Sequence, residues 1–220
     1  MTHFSDGVRA GRNFANNGTA NQPGVYMSPI NVYDIVPAAL VTNGICTQQT
    51  ITGAANAVIN GSLASGGVAT LDVPRNVIVD AAGAATAVLT IFGTDAYGIS
   101  MSEAITLNGT TAVAGKKAFK TITRIASSAT ATDIFVGTGD VFGLPIDANT
   151  RNYVLTAWNG AFVTTGTFVG ADATTATTTT GDVRGTYAVP DAADASKRLT
   201  LWVFVLDDDT QTGLYGVTQA

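Results

Sequence analysis

Cysteine and histidine are almost missing from this 220-residue sequence, which has one of each. A single cysteine cannot form a disulfide within the chain or build a zinc site from cysteines. A single histidine leaves little for imidazole catalysis or for a histidine-rich metal centre. We interpret Cys46 as a small buried hydrophobic residue and His3 as incidental. We therefore expect no metal and no cofactor.

Charge is also scarce. Charged residues make up 12% of the chain and the net charge is −5, whereas ordinary soluble domains contain about 25%. This acidic balance argues against nucleic acid as the main partner. The most apolar run, Leu201–Leu206, is far shorter than the roughly 20 residues of a membrane-spanning helix. Residues 1–20 carry no apolar stretch typical of a secretion signal, so we expect synthesis in a cytoplasm and no membrane partner.

The part of the chain after residue 46 has the pattern of an all-β protein. Runs rich in Thr, Val and Ile alternate between apolar and polar residues and are separated by Gly and Asn turns at short intervals. Residues 68–73 and 76–80 read as strands interrupted by Pro74, and Asn159-Gly160 predicts a tight hairpin. The pattern predicts a β-sandwich or jelly-roll-like body over residues 46–220. Residues 46–146 and 147–220 could form one continuous sandwich or two sheets.

Residues 1–45 differ from the body because turn-forming clusters of Gly, Asn, Ser and Pro follow one another closely. Aromatic and aliphatic residues are scattered among these clusters, which is unusual for a disordered tail. We predict an extended N-terminal arm that buries its apolar residues against the body or a neighbouring subunit. The candidate capsid or subunit contacts are Phe4, Phe14, Tyr26, Met27, Ile30, Tyr33 and Ile35.

No motif in the body indicates an enzyme. The segment from Gly109 to Lys117 differs from a phosphate-binding loop in its glycine spacing and lacks the required Ser or Thr. Glu103 has no acidic partner nearby in the sequence, and Asp207–Asp209 is read as a solvated loop end. We interpret Lys116, Lys117 and Lys120 as solvated charges that blunt a sheet edge. We expect no catalytic residues and no enzymatic activity.

The two tryptophans, Trp158 and Trp202, each lie in an apolar strand segment. Core packing is the first interpretation for both. Anchoring of a subunit interface is the alternative, because aromatic residues dominate the energetics of such contacts.

Several segments carry a resemblance that covers about residues 60–220. They are Leu71–Val77 (LDVPRNV), Phe92–Gly98 (FGTDAYG), Met101–Thr121, Val136–Pro145 (VGTGDVFGLP), Thr180–Thr186 and the C-terminal Leu214–Ala220. Together they resemble a recurring module of tailed-bacteriophage virion proteins, and the chain is most similar to capsid decoration (cement) proteins.

This resemblance implies a β-rich homotrimer that binds the outside of a phage head. The partner would be the major capsid protein, and the location would be the capsid exterior of the virion. The alternative is a tail, adaptor or fibre component, or a surface carbohydrate-binding module. In that case the rings of Tyr97, Tyr153, Trp158 and Tyr187 would face outward to stack on sugars.

Overall fold

The structure is a computed structural model that describes residues 30–148 and 154–204, together with two short strands before them. The described residues form strands, turns and loops and contain no helix. The strands are β1 (Arg12–Asn13), β2 (Tyr26–Met27), β3 (Ile30–Ile35), β4 (Cys46–Ile51), β5 (Ala64–Ser65), β6 (Val68–Ala81), β7 (Val88–Thr94), β8 (Ser100–Thr106), β9 (Val113–Ala114), β10 (Phe119–Ser127), β11 (Ala131–Gly143), β12 (Val154–Trp158), β13 (Ala161–Phe162), β14 (Thr167–Val169), β15 (Thr186–Ala188) and β16 (Leu199–Phe204). The predicted all-β, sandwich-like body is confirmed.

The large sheet has ten strands in the order β14-β15-β11-β6-β10-β7-β8, with β4 on β11 and β5 and β9 on β6. Its two long central strands, β6 and β11, pair with different neighbours at their two ends. Register shifts interrupt the pairing of β6 with both β10 and β11. Such bulges bend strands and increase twist, so the sheet curls over its own apolar face.

The residues inside this curl form the first hydrophobic core. Side chains alternate between buried and half-buried along β7, as period-two geometry requires. Fully buried members include Leu71, Leu89, Ile91, Phe119, Ile122, Ile125 and Ile134. Cys46 is also fully buried, and burial raises the pKa of its thiol to about 11. Its interpretation as an inert hydrophobic residue is therefore supported.

Pro74 does not divide the chain into two strands. The structure has one strand, β6, that runs through it. The pairing of β6 with β10 shifts register between Thr70 and Arg75. Proline lacks the N–H that a regular ladder needs and is tolerated at a bulge, which explains why the expected interruption is a bend instead.

The small sheet has four antiparallel strands in the order β13-β12-β16-β3. Its β12–β13 hairpin turns at Asn159 and Gly160, whose φ angles are 50° and 81°. Two positive φ values suit a type I′ turn, so the predicted hairpin is confirmed. The inner face of the sheet packs on a second core that includes Phe142, Leu144, Trp158, Tyr187, Leu199, Leu201 and Val203.

Each sheet combines distant parts of the chain. The large sheet takes β14 and β15 from the part after residue 146, and the small sheet takes β3 from the predicted arm, residues 1–45. Within that arm, Tyr33 and Ile35 pack against the second core. Residues 30–35 are thus built into the body as an edge strand.

A buried arginine, Arg75, joins the two sheets. It lies on β6 with 1% of its surface exposed. Its Nε donates to the carbonyl of Gly139 at 2.6 Å and its Nη1 to the carbonyl of Ala38 at 2.9 Å. It also pairs with Asp140 at 2.6 Å and Asp72 at 3.2 Å. One guanidinium thereby holds two strands of the large sheet and the segment that follows β3.

Asp140 extends this network towards the strand β16. Its second carboxylate oxygen accepts a hydrogen bond from the backbone N–H of Ala193, at 3.2 Å. The guanidinium of Arg75 also stacks over the ring of Phe142, with 5.2 Å between its carbon and the ring centre. The connections that enter and leave the small sheet are therefore anchored to one charged cluster.

We expect Arg75→Leu to lower the free energy of unfolding by about 3–5 kcal/mol. Removing one partner of a buried ion pair leaves uncompensated carboxylates and unpaired carbonyls. Urea denaturation measures the loss. Arg124→Leu is the matched control, because Arg124 is exposed and contacts only the ring of Phe92, and it should cost no more than about 1 kcal/mol. Equal losses in the two variants would contradict the anchoring role of Arg75.

Candidate functional site

The outer face of the small sheet is the main exposed apolar surface of the described residues. Directly opposed residues of an antiparallel pair project to the same side of a sheet. Leu155 on β12 lies opposite Trp202 on β16, and Trp202 lies opposite Val32 on β3. Phe162 on β13 lies opposite Ala157, which shares a face with Leu155. With Ile30, two residues from Val32, these side chains form one surface, here called the outer face: Ile30, Val32, Leu155, Phe162 and Trp202.

The outer face is apolar and accessible. Phe162 is 76% exposed, and Val32, Ile30 and Leu155 are about half exposed, at 59%, 51% and 49%. The rings of Phe162 and Trp202 lie 5.5 Å apart at an angle of 38°, a separation typical of interacting aromatic pairs. Contiguous exposed apolar surface rimmed by polar groups marks a binding site more often than isolated exposed residues do.

The charges at the rim of the outer face neutralise one another. Arg198 pairs with Asp34 at 2.5 Å, and the hydroxyl of Thr200 donates to the same carboxylate at 3.2 Å. Both ionic side chains are substantially exposed, so the pair contributes little stability. It leaves the rim polar but without net charge. The surface therefore suits contact with a neutral or weakly charged protein surface, with the aromatic pair as its anchor.

The seven predicted contact residues fall into three groups. Phe4 and Phe14 lie outside the described residues. Tyr26 and Met27 form β2, which pairs with β1, and their side chains are likewise outside the description. Ile30 belongs to the outer face, whereas Tyr33 and Ile35 point the other way and pack on the second core. Only Ile30 among them is placed on the exposed apolar surface.

The aromatic residues named for sugar stacking are mostly unavailable. Trp158 is 5% exposed and donates its indole N–H to Asp191, and Tyr187 is fully buried. Tyr97 is partly exposed, with its hydroxyl donating to Pro145 and the guanidinium of Arg184 over its ring. Tyr153 lies outside the described residues. The core interpretation thus applies to Trp158.

Trp202 and Phe162 form the exposed aromatic pair instead. Sequence reasoning missed Phe162 because it follows a hairpin turn and sits in a strand of two residues. The usable signal was the alternation across the predicted hairpin, which places Leu155 and Phe162 on one side.

A second cluster contains charged groups buried beside the large sheet. Glu103 on β8 is 3% exposed and accepts the backbone N–H groups of Lys116 and Lys117. Lys117 is fully buried, and its Nζ donates to the carbonyl of Thr177 at 2.7 Å. Gly115 leaves no room for a side chain, since a Cβ there would lie 2.6 Å from Glu103. The interpretation of Lys117 as a solvated charge is wrong, because the loop that carries it folds inward onto Glu103.

The same cluster fastens a threonine-rich loop, residues 173–180, to the edge of the large sheet. The backbone N–H of Ala104 on β8 donates to the carbonyl of Thr178 at 2.7 Å. Lys116 reaches the carbonyl of Thr179, and Lys120 instead donates to the carbonyls of Leu71 and Asp72. These lysines therefore bind main-chain oxygens, which is a structural role.

Burial shifts the titration of the groups in this cluster. It raises the pKa of Glu103, although the hydrogen bonds from Lys116 and Lys117 act in the opposite direction. Burial likewise raises the pKa of Asp182, whose carboxylate accepts the N–H groups of Ala118 and Arg184. It lowers the pKa of Lys117. Because both carboxylates hold backbone N–H groups, they serve as loop anchors.

Two further searches of the described residues give negative findings. No group of three or more His, Cys, Asp or Glu side chains is placed to hold a metal ion there. That part of the chain also has no helix with the length and apolarity needed to span a bilayer.

No protein-family model, curated protein or solved structure matches this chain.

The raised pKa values of Glu103 and Asp182 predict the sign of a pH dependence. Unfolded Glu and Asp titrate near pH 4.3 and 3.9, so the folded state binds these protons more tightly. Their favourable contribution is fully present below the unfolded pKa and is lost as pH rises through the folded pKa. We expect the double variant Glu103→Gln/Asp182→Asn to lose the stabilisation that these groups provide on going from pH 7.5 to pH 5.

Urea denaturation at the two pH values measures this effect. Asp194→Asn is the control, because hydrogen bonds from Ser196 and Lys197 hold the pKa of Asp194 at about 2 and it stays ionised across this range. The control should keep the wild-type pH dependence. An unchanged pH dependence in the double variant would contradict the assignment.

The different exposure of the two tryptophans gives an optical test. We expect acrylamide to quench Trp202 readily and Trp158 weakly, because Trp202 is half-buried on the outer face and Trp158 is in the core. Trp202→Phe should therefore lower the quenching constant of the protein, and Trp158→Phe should raise it. Similar constants in the two variants would show that Trp202 is not on an accessible surface.

Proposed function

We propose that this chain is a structural protein of a tailed-bacteriophage virion, a capsid decoration or cement protein. It binds the outside of the head and stabilises contacts between major capsid protein subunits. The virion assignment comes from the sequence resemblance. The observation that supports a binding role is the outer face, an exposed apolar surface with an aromatic pair on a rigid β-body.

The composition of the outer face favours a protein surface as its partner. Five large apolar side chains on adjacent strands can be buried together, and apolar burial supplies the main free energy of such contacts. The neutralised Asp34–Arg198 pair adds no net charge at the rim. Many copies could then lie side by side on a shell without strong mutual repulsion.

The proposed assembly is a homotrimer on the capsid exterior. A trimer engages several shell sites at once, so weak individual contacts combine into strong attachment. Binding only the assembled shell stabilises that shell by mass action. The described geometry needs neither cofactor nor nucleic acid for this role, and the chain is proposed to act without enzymatic activity.

A second candidate is a tail, adaptor or fibre component, or a carbohydrate-binding module on the virion. The exposed pair of Phe162 and Trp202 favours the carbohydrate version, because flat aromatic rings can stack on sugars. The neighbours of the pair on the outer face are aliphatic, however, whereas small-molecule sites combine apolar walls with polar groups that fix orientation. A protein partner fits this surface better.

The first test is the copy number of this chain relative to the major capsid protein in purified virions, by quantitative mass spectrometry. We expect a simple ratio and hundreds of copies per particle. A few copies per particle would contradict the decoration role and favour the tail or fibre role. A change in Trp202 fluorescence on adding host polysaccharide would favour carbohydrate binding.

The second test targets the outer face with Phe162→Ser. Since Phe162 is 76% exposed, the change should alter folding stability by no more than about 0.5 kcal/mol. Loss of an aromatic anchor should weaken binding to heads stripped of this protein by roughly tenfold or more. Val58→Ser is the matched control, because Val58 is 62% exposed but lies outside the small sheet. Equal binding by the two variants would exclude the outer face as the shell contact.

A further inference from the structure

A small apolar pocket lies where the two sheets meet. It has a volume of about 180 Å³ and is lined by residues of β3, β6, β10, the β7–β8 turn and the end of β11. The lining used in the argument is formed by Tyr33, Pro74, Tyr97, Lys120, Leu144 and Pro145. Two tyrosine rings and two proline rings supply flat, rigid walls. This junction pocket is separate from the outer face, because Tyr33 projects to the opposite side of β3 from Ile30 and Val32.

The polar groups around the junction pocket are engaged, with one exception. The ammonium of Lys120 is held by the carbonyls of Leu71 and Asp72 at 2.7 and 2.9 Å. The carbonyl of Pro145 accepts the hydroxyl of Tyr97. The hydroxyl of Tyr33 is buried and has no hydrogen-bond partner. A buried hydroxyl without a partner costs free energy, so this group calls for an acceptor.

Burial also raises the pKa of Tyr33, with the nearby carboxylate of Asp72 acting in the same direction. The hydroxyl therefore keeps its proton at every physiological pH. It is available as a hydrogen-bond donor.

We propose that the junction pocket binds a proline residue of an extended, proline-containing peptide segment of a partner protein. The prolyl ring packs between the tyrosine and proline rings, and the hydroxyl of Tyr33 donates to a backbone carbonyl of the segment. A prolyl peptide unit offers a carbonyl acceptor but no N–H donor. It matches a pocket whose unused polar group is a donor and whose named carbonyls are already engaged.

Size and charge exclude other ligand classes. Pockets for cofactors and drug-sized ligands are roughly 300–1,000 Å³, so this pocket takes a group no larger than one or two side chains. A charged ligand would meet no unpaired countercharge, because Lys120 is held by two carbonyls. Proline-rich segments dock in aromatic-lined grooves with little loss of conformational entropy, since they are preformed as extended helices.

The probe for this site is a blocked peptide of six prolines, titrated into the isotope-labelled full chain and followed by NMR. A Gly-Ser peptide of the same length is the control ligand. We expect saturable shifts at Tyr33, Tyr97 and Leu144 with the proline peptide only. The absence of saturable shifts there, or equal shifts with the Gly-Ser peptide, would overturn the proposal.

Tyr33→Phe tests the hydrogen bond. Because this hydroxyl has no partner in the free protein, the variant should unfold at the same temperature as wild type or higher. It should bind the proline peptide about three- to tenfold more weakly, the range expected for one neutral hydrogen bond. Unchanged affinity in the folded variant would overturn the proposed role of the hydroxyl.

Ala96→Phe tests the place of binding. Ala96 is an exposed residue at the rim of the pocket, so a phenyl ring there should block entry without disturbing the core. Ala54→Phe makes the same change at an exposed position outside the pocket. We expect the first variant to lose peptide binding and the second to keep it. Equal binding by both would place the peptide elsewhere. These experiments need no virion, so their failure would leave the proposed decoration role to its own tests.

Discussion

The structure depends on the burial of one positive charge, the guanidinium of Arg75. A buried guanidinium must satisfy its donors and be neutralised, or its desolvation cost is not offset. Arg75 meets this need with carbonyls of Ala38 and Gly139 and with two carboxylates. These partners come from separated parts of the chain, so the charge can be satisfied only when those parts meet. The cluster therefore makes the small sheet a fixed extension of the large one.

The fixed position of the small sheet gives its two faces different roles. Its inner face completes a core with Leu199, Leu201 and Trp158, while its outer face exposes aliphatic and aromatic side chains. An all-β body of this kind can present an apolar surface without losing its shape, because the opposite side of the same strands holds it in place. That division of labour underlies the proposed attachment to a shell. The junction pocket adds a second, smaller surface of different chemistry.

Local patterns were sufficient for the parts of the fold that depend on local chemistry. Alternation identified the strands of the body, and Asn159-Gly160 identified a hairpin, because period-two burial and positive φ are encoded in neighbouring residues. Lys117 and Arg75 were not recognisable as buried, since the partners that make their burial possible lie 60 or more residues away in the sequence. The outer face was missed for the same reason. Its residues come from four strands, and only their pairing shows that Val32, Leu155 and Phe162 share one side.

The threonine-rich loop also bears on how this sheet avoids sticking to others. The strand β8 ends the large sheet, and an uncovered edge strand is a template for pairing with another chain. Thr178 covers it with a backbone carbonyl, and the neighbouring contacts of Lys116 and Lys117 also use main-chain oxygens. A seal made by the backbone does not require particular side chains. The repetitive composition of this loop is thus compatible with a specific task, and substitutions within it should be tolerated as long as the loop keeps its path.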